Sequence, residues 1–169
     1  MDKFKEIRPV TLGLIQRENK ILVNEGYDKI KDQKFYRCLG GGIEFQEKSY
    51  EALKREFLEE IGKEISVKDF LGVSENIFTF EGKKAHELIF FYSAELKDED
   101  YQEEYIMNED GKINKAVWVN INKFKNNEAI IYPEEVKKYI WKLKKVWLSQ
   151  TFFWFLHHFL LYFLYGKFR

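Results

Sequence analysis

Three glutamates within five positions of a predicted helix are the residues of this chain best suited to chemistry. Glu56, Glu59 and Glu60 fall within a sector little wider than a quarter-turn, because each residue advances a helix by about 100°. Carboxylates crowded on one face repel each other and would weaken the helix unless a counter-charge neutralises them. A divalent cation that prefers oxygen ligands is the natural counter-charge. The spacing predicts a metal site; the alternative is an ordinary surface helix with a solvated acidic face.

The helix that carries these glutamates should span residues 49–61 and follow a glycine-rich turn. Ser49 is its expected N-cap, and Gly62 has the character of a C-terminal stop. An apolar stripe beside the acidic face should be buried; it consists of Leu53, Phe57 and Ile61. The preceding glycines, Gly40, Gly41 and Gly42, would let the backbone approach a bound anion closely and expose amide groups to it.

The spacing of this segment resembles the signature of the Nudix hydrolase family. That signature is a Gly, five residues, a Glu, seven residues, Arg-Glu, an apolar residue, any residue, Glu-Glu, any residue, a Gly and an apolar residue. The matching positions are Gly41, Glu47, Arg55, Glu56, Phe57, Glu59, Glu60 and Gly62. The last position departs, since Lys63 stands where an aliphatic residue is usual, and Ile65 is expected to take over its packing.

The order of segments extends this resemblance to roughly residues 8–147. Strands are predicted at residues 10–16, 20–24, 35–39, 65–73, 86–96 and 116–120. A single helical turn at 121–124 and a helix beginning at Pro133 complete the pattern. Such an order favours an α/β protein with a mixed sheet covered by helices, and the resemblance implies a Nudix-type α/β/α sandwich. We therefore expect a Nudix hydrolase domain at residues 1–147 and a separate tail at 148–169.

The resemblance implies hydrolysis of a pyrophosphate bond in a nucleoside diphosphate linked to another moiety. Glu56, Glu59 and Glu60 would then hold Mg²⁺ or Mn²⁺, because the set contains only oxygen ligands. Arg55 lies four residues before Glu59 and either orients that carboxylate or forms a plain surface pair. The alternative is a catalytically weak nucleotide-binding or sensor module on the same fold.

The general base is less clearly marked. Glu56 is favoured as base or metal ligand, and Glu87 is an outside candidate because a carboxylate in an apolar strand needs a reason. The expected catalytic set is Glu56, Glu59, Arg55 and Glu87, and the remaining base candidates are His86, Glu103, Glu104 and Glu109. Loop-proximal aromatic residues that could stack on a nucleotide base are Tyr27, Tyr36, Phe78 and Phe80.

The composition suits a compact enzyme with a small-molecule substrate. Across 169 residues, Lys+Arg and Asp+Glu are both 28, so the protein has no net positive charge that would favour a stable nucleic-acid complex. The single cysteine, Cys38, excludes an internal disulfide, suits a reducing cytoplasm and is expected to be packed and unreactive. The first residues contain no apolar segment typical of a secretory signal. We expect a cytoplasmic protein.

The segment 146–166 does not fit this pattern, because it contains no Lys, Arg, Asp or Glu. As a helix it would be about 30 Å long, near the thickness of a bilayer core. Trp147 and Tyr165 lie at its ends as interfacial anchors would, whereas His157 and His158 near its middle would be costly in lipid. Three interpretations stay open: a membrane anchor, an apolar helix docked on the domain or on a second subunit, and an extension foreign to the fold.

Overall fold

The computed structural model describes residues 6–97, 102–109 and 112–141. In chain order its elements are β1 (Ile7–Arg17), β2 (Lys20–Asp28), β3 (Gln33–Cys38), α1 (Ser49–Ile61), β4 (Ile65–Phe80), β5 (Lys83–Leu96), β6 (Glu104–Glu109), β7 (Lys112–Asn120), α2 (Ile121–Lys125) and β8 (Ile131–Tyr132). Residues 136–141 are also helical. The expected tail and its apolar C-terminal helix lie outside the described residues.

The chain divides into two compact units, residues 1–137 and 138–169. The first unit contains every named strand and helix. Of the second, the structure describes one helical stretch, in which the Lys138 ammonium lies 4.8 Å from the centre of the Tyr139 ring. In neither described part is there a helix long and apolar enough to cross a membrane.

The strands of the first unit form one mixed sheet. The main path follows the order β4-β5-β1-β2-β3-β8, and β7 pairs with β2 and carries β6. β1 lies parallel to β5, and β3 lies parallel to β8. The other pairings are antiparallel. The predicted α/β class with a mixed sheet is confirmed.

A gap between β1 and β2 positions the glycine turn. These strands pair only at their hairpin end, where Gln16 faces Ile21 and Arg17 faces Lys20. Beyond that point the segment after β3 lies beside β1. The Gly13 N–H donates to the Leu39 carbonyl at 2.9 Å, and the Thr11 N–H donates to the Gly41 carbonyl at 2.9 Å. The glycine turn is thus fixed by backbone hydrogen bonds in the middle of the sheet.

Helix α1 packs on β1 through its apolar stripe. Leu53 and Phe57 are fully buried, and Ile65 joins the same cluster, as expected from its place after Lys63. At Gly13 of β1, an added Cβ would lie 2.9 Å from the Phe57 ring. The close approach of helix and strand therefore requires a residue without a side chain at this point.

The ends of α1 correct one expectation and confirm another. Ser49 is not the N-cap: the helix begins at Ser49, Lys48 occupies the cap position, and no side chain caps the helix. The Ser49 hydroxyl is instead in a hydrogen bond of 2.6 Å with the Tyr92 hydroxyl. Gly62 ends the helix as predicted, with a left-handed φ of 65° and its N–H donating to the Leu58 carbonyl at 3.0 Å.

Several strands are longer than the sequence pattern indicated. β2 continues to Asp28, beyond the strand predicted at 20–24, because β3 pairs with it as far as Gln33. β4 and β5 pair as far as Phe80 and Lys83 at their shared turn, with register shifts between Val67 and Gly72. β6 and β8 were not predicted. The last helix begins later than expected: after Pro133 the chain makes a turn, with the Val136 N–H donating to the Pro133 carbonyl, before helical residues 136–141.

Candidate active site

Arg55 lies at the centre of the acidic face of α1. Its Nε and Nη2 donate to the two oxygens of Glu47, at 3.0 and 2.9 Å. Its Nη1 donates to Glu56 at 2.9 Å and to Glu59 at 3.0 Å. A further bond of 2.9 Å runs from Nη2 to the Gly42 carbonyl. The pair of Arg55 with Glu59 belongs to a network of five hydrogen bonds. This network holds the guanidinium in one orientation, which an isolated exposed ion pair would not do.

The carboxylates around Arg55 have different electrostatic environments. Hydrogen bonds from the Arg55 guanidinium lower the pKa of Glu47 despite the opposing effect of burial. Burial raises the pKa of Glu56, although Arg55 works in the opposite direction. The Glu56 side chain is 17% exposed and that of Glu59 is 59% exposed. Glu56 is therefore shielded from water far more than Glu59 is.

The glycine turn meets two of the α1 carboxylates. A Cβ added to Gly41 would lie 2.4 Å from the carboxyl carbon of Glu56 and 2.5 Å from each of its oxygens. The Gly40 N–H donates to Glu60 at 3.2 Å. Gly40 has a φ of +127°, and a Cβ there would lie 2.2 Å from the Thr11 carbonyl oxygen, so no other residue fits. The structure brings the predicted glycines and glutamates together.

These residues fit a divalent cation by the chemistry of their donors. Glu56 and Glu59 share one guanidinium nitrogen, Glu60 reaches the same glycine turn, and every donor is a carboxylate oxygen, as Mg²⁺ and Mn²⁺ prefer. Within residues 6–97, 102–109 and 112–141, no three His, Cys, Asp or Glu side chains form a ready-made metal cage. Arg55 supplies the counter-charge to Glu47, Glu56 and Glu59 in this arrangement.

A cavity of about 860 Å³ begins at Gly40 and Gly41 and extends between β2, β3, β4 and β5. Its aromatic lining consists of Tyr27, Phe35, Phe78, Phe80 and Tyr132. Three of the four predicted stacking candidates are among them. Tyr36 is not: its ring packs against Phe124 at 5.7 Å between centres, because successive strand residues face opposite sides of a sheet.

Phe35 and Tyr132 were missed by the sequence analysis. The Phe35 ring lies 5.9 Å from Phe80 and 5.6 Å from Tyr132 between centres. It also covers the backbone of Gly26, where an added Cβ would lie 2.4 Å from the ring. No local signal in the sequence marked this contact, because Gly26 lies opposite Phe35 only through the register of β2 and β3.

Glu87 lies in the wall of the same cavity and is almost fully buried. Its partner is Arg37 of β3, whose Nη2 donates to Glu87 at 2.9 Å. This pair explains why an apolar strand carries a carboxylate. Arg8 of β1 lines the cavity too. Neither arginine was singled out from the sequence, because their positions on separate strands give no local pattern.

The other base candidates lie elsewhere. His86 bonds to Glu75 at 2.9 Å in an exposed pair, and Glu104 pairs with Lys115 at 2.8 Å. Glu103 is exposed and does not line the cavity, and the side chain of Glu109 lies outside the described part. Cys38 is buried, which confirms a packed thiol, and burial raises its pKa to about 12, which favours low reactivity.

Comparison with known proteins identifies relatives of this arrangement. The sequence profile of the NUDIX domain matches residues 7–141. A NUDIX hydrolase from Nitrosomonas europaea is similar in structure, with a TM-score of 0.58 and 21% identity over 79% of this chain and 85% of that one. The MutT protein from Methanosarcina mazei Go1 has a TM-score of 0.55 and 17% identity over 86% and 96%.

A UDP-X diphosphatase is also similar, with a TM-score of 0.58 and 19% identity over 83% of this chain and 64% of that one. A search of curated protein sequences gave no significant match. At these identities the structural likenesses establish the fold. The match of residues 7–141 extends from β1 to the end of the described residues.

Proposed function

This chain belongs to the Nudix family and is a hydrolase, and on that premise we propose that it cleaves a pyrophosphate bond in a nucleoside diphosphate linked to another moiety. The observation that supports this most is the meeting of Gly40 and Gly41 with the carboxylates of Glu60 and Glu56. A phosphate beside the glycine turn would lie next to the acidic face of α1. The aromatic cavity that begins at the same turn offers space for the nucleoside.

Glu56, Glu59 and Glu60 would hold Mg²⁺ or Mn²⁺ in this proposal. When bound, such an ion would neutralise phosphate oxygens and acidify a water molecule. Arg55 keeps the carboxylates in place, since it is bonded to Glu47 and to the Gly42 carbonyl at the same time. Gly40, Gly41 and Gly42 let the backbone approach the phosphates without a side chain between them.

Glu56 is our assignment for the general base. Burial raises the pKa of the Glu56 carboxyl, and a raised pKa favours proton uptake. Glu87, the outside candidate from the sequence, lines the cavity and accepts a hydrogen bond from Arg37, so we do not assign it the proton.

The name of one structural relative, a UDP-X diphosphatase, supports nucleoside diphosphate derivatives as the substrate class. Equal numbers of acidic and basic residues are consistent with a small-molecule substrate and with no stable nucleic-acid complex. A cytoplasmic location is part of the proposal and is supported by the buried free thiol of Cys38. A homodimer and a membrane contact through residues 146–166 stay predictions from the sequence.

Substrate profiling tests the proposal. The full chain is assayed with nucleotide sugars, ADP-ribose, dinucleoside polyphosphates and nucleoside triphosphates, with Mg²⁺ or Mn²⁺ and again with EDTA. We expect nucleotide release from at least one substrate, abolished by EDTA. Folded protein that releases product from none of them contradicts the proposal, and tight nucleotide binding without turnover would identify the sensor alternative.

Glu60→Gln tests the metal assignment on the proven substrate. We expect kcat to fall by about a hundredfold or more, because the change removes a ligand charge at the glycine turn. The matched control is Glu51→Gln, which removes an exposed charge from the first turn of the same helix and should leave kcat within about twofold. Equal activity of both variants would show that Glu60 is not a metal ligand.

A further inference from the structure

Two arginines and one glutamate from three different strands meet in the cavity beside the glycine turn. Arg37 of β3 donates to Glu87 of β5 at 2.9 Å. Arg8 of β1 is the register partner of Glu87 across the parallel β1–β5 pair. Its Nη2 lies 3.8 Å from the place that a Cβ on Gly42 would occupy. The cavity is thus lined by the Arg37–Glu87 pair and by a second guanidinium group, that of Arg8, next to the turn where the phosphates are proposed to bind.

Within the described residues, this group of two arginines and one glutamate has one more positive than negative charge. Glu87 is 6% exposed and Arg37 is 23% exposed, and they neutralise each other. Arg8 makes no ion pair or side-chain hydrogen bond within the part of the chain that the structure describes. Arg37 donates to Glu87 through one nitrogen only, while a guanidinium has five N–H donors. Among the described residues, the exposed Arg8 guanidinium and several N–H groups of Arg37 therefore have no acceptor, and both side chains line the cavity.

We propose that Arg8 and Arg37 bind the phosphate groups of the substrate and that Glu87 is a positioning residue that fixes Arg37. Guanidinium groups recognise phosphate through paired N–H donors, and a buried carboxylate behind Arg37 holds its plane in one orientation. One oxygen of Glu87 accepts from Arg37, which fits a role in orienting the arginine. This inference rests on the proposed function for the identity of the anion.

Equilibrium binding tests this inference without requiring turnover. The full chain, with Mg²⁺, is titrated calorimetrically with the non-hydrolysable α,β-methylene analogue of ADP and with adenosine, which has no phosphate. Arg8→Gln and Arg37→Gln should each weaken binding of the analogue by about ten- to a hundredfold, the range expected for loss of a charge-assisted hydrogen bond. Both variants should bind adenosine within about threefold of the unmodified protein.

Two further variants sharpen the comparison. Arg37→Lys keeps the charge and should recover only part of the affinity, because lysine lacks the planar fork. Lys123→Gln removes an exposed charge on α2, outside the cavity, and should leave binding of the analogue unchanged. Unmodified protein that does not bind the analogue, or arginine variants that bind it as Lys123→Gln does, would overturn the inference.

The role of Glu87 is tested by kinetics on the proven substrate. Glu87→Gln should raise KM, keep kcat within about threefold and leave the acidic limb of the kcat–pH profile in place. A hundredfold fall in kcat with loss of that limb would make Glu87 the base. Because removal of one partner can unfold a buried pair, the double variant Arg37→Gln/Glu87→Gln, which leaves no buried charge unpaired, is measured by the same criteria.

The binding experiment and the turnover experiment test two different proposals, and either proposal can fail without the other. Absence of turnover with every substrate would contradict the proposed function, while the calorimetric difference between the analogue and adenosine would still test the two arginines. Turnover by the unmodified protein, together with unchanged binding of the analogue by Arg8→Gln and Arg37→Gln, would contradict this inference and leave the proposed function intact.

Discussion

At the residue scale, Gly41 is the position where the smallest change should have the largest effect on activity. A Cβ there would lie 2.5 Å from both oxygens of Glu56, so Gly41→Ala must displace that carboxylate. Gly41 has no positive φ, so alanine does not strain the backbone. We expect kcat to fall by about a hundredfold, as displacement of a reacting group by an ångström can cause, with little change in melting temperature.

Gly62→Ala is the matched control for Gly41→Ala. Gly62 has a φ of 65° and open space where a Cβ would lie, so alanine there costs about 1–2 kcal/mol of backbone strain without touching the site. Thermal unfolding and steady-state kinetics should show opposite patterns in the two variants. The same loss of kcat in both would mean that Gly41 acts through stability and not through Glu56.

At the element scale, α1 is held by the side chains that face β1. Phe57 is fully buried, and Phe57→Ala should lower the free energy of unfolding by about 3–5 kcal/mol through lost burial and a residual cavity. Its neighbour Leu58 is 54% exposed, and Leu58→Ala should change that free energy by less than about 0.5 kcal/mol. Urea denaturation measures both, and similar values would contradict the assigned helix face.

A second element-scale prediction concerns Asp28, which links the end of β2 to the β4–β5 turn. Its carboxylate accepts from three backbone N–H groups, those of Ile30, Lys31 and Glu81. Burial opposes ionisation, but these three donors outweigh burial and lower the pKa of Asp28. The ionised carboxylate therefore stabilises the fold at pH values above its unfolded pKa of about 3.9, and this contribution is lost as the pH falls through the folded pKa.

Asp28→Asn should accordingly lower the melting temperature at pH 7, and the difference from the unmodified protein should shrink below about pH 4. Glu18→Gln, at an exposed position in the β1–β2 turn, serves as the control and should leave the melting curve unchanged at both pH values. A deficit of Asp28→Asn that persists at low pH would show that the charge of Asp28 is not what stabilises this link.

At the scale of the whole molecule, residues 146–166 are the largest apolar sequence in the chain without a charged residue. Burial of a Phe or Leu side chain is worth roughly 1.5–3 kcal/mol, so exposure of this segment to water would favour aggregation. Truncation after Lys145 should therefore change membrane partitioning or mass in solution while turnover is kept. A full-length chain that is a free monomer with this segment open to protease would contradict both an anchor and a subunit contact.

Local sequence determined the helix, its acidic face and the turn before it. The positions of Gly41, Glu47, Arg55 and Gly62 follow a fixed spacing, and residues within one helical turn or one tight turn interact wherever the chain is placed. The family, the α/β class and the mixed sheet followed from this spacing and from the order of elements. The extent of the strands did not, because the length of a strand depends on its partner: β2 continues to Asp28 only where β3 lies beside it.

The tertiary structure alone decided which distant residues share the cavity. Arg8, Arg37 and Glu87 come from three strands and line one cavity, because β1 lies parallel to β5 and the segment after β3 lies beside β1. Phe35 faces the cavity while Tyr36 faces Phe124, a difference of one residue in strand register. The spacing of residues along one helix or strand can be read from the sequence. The pairing of distant strands is set by burial and hydrogen bonding over the whole chain.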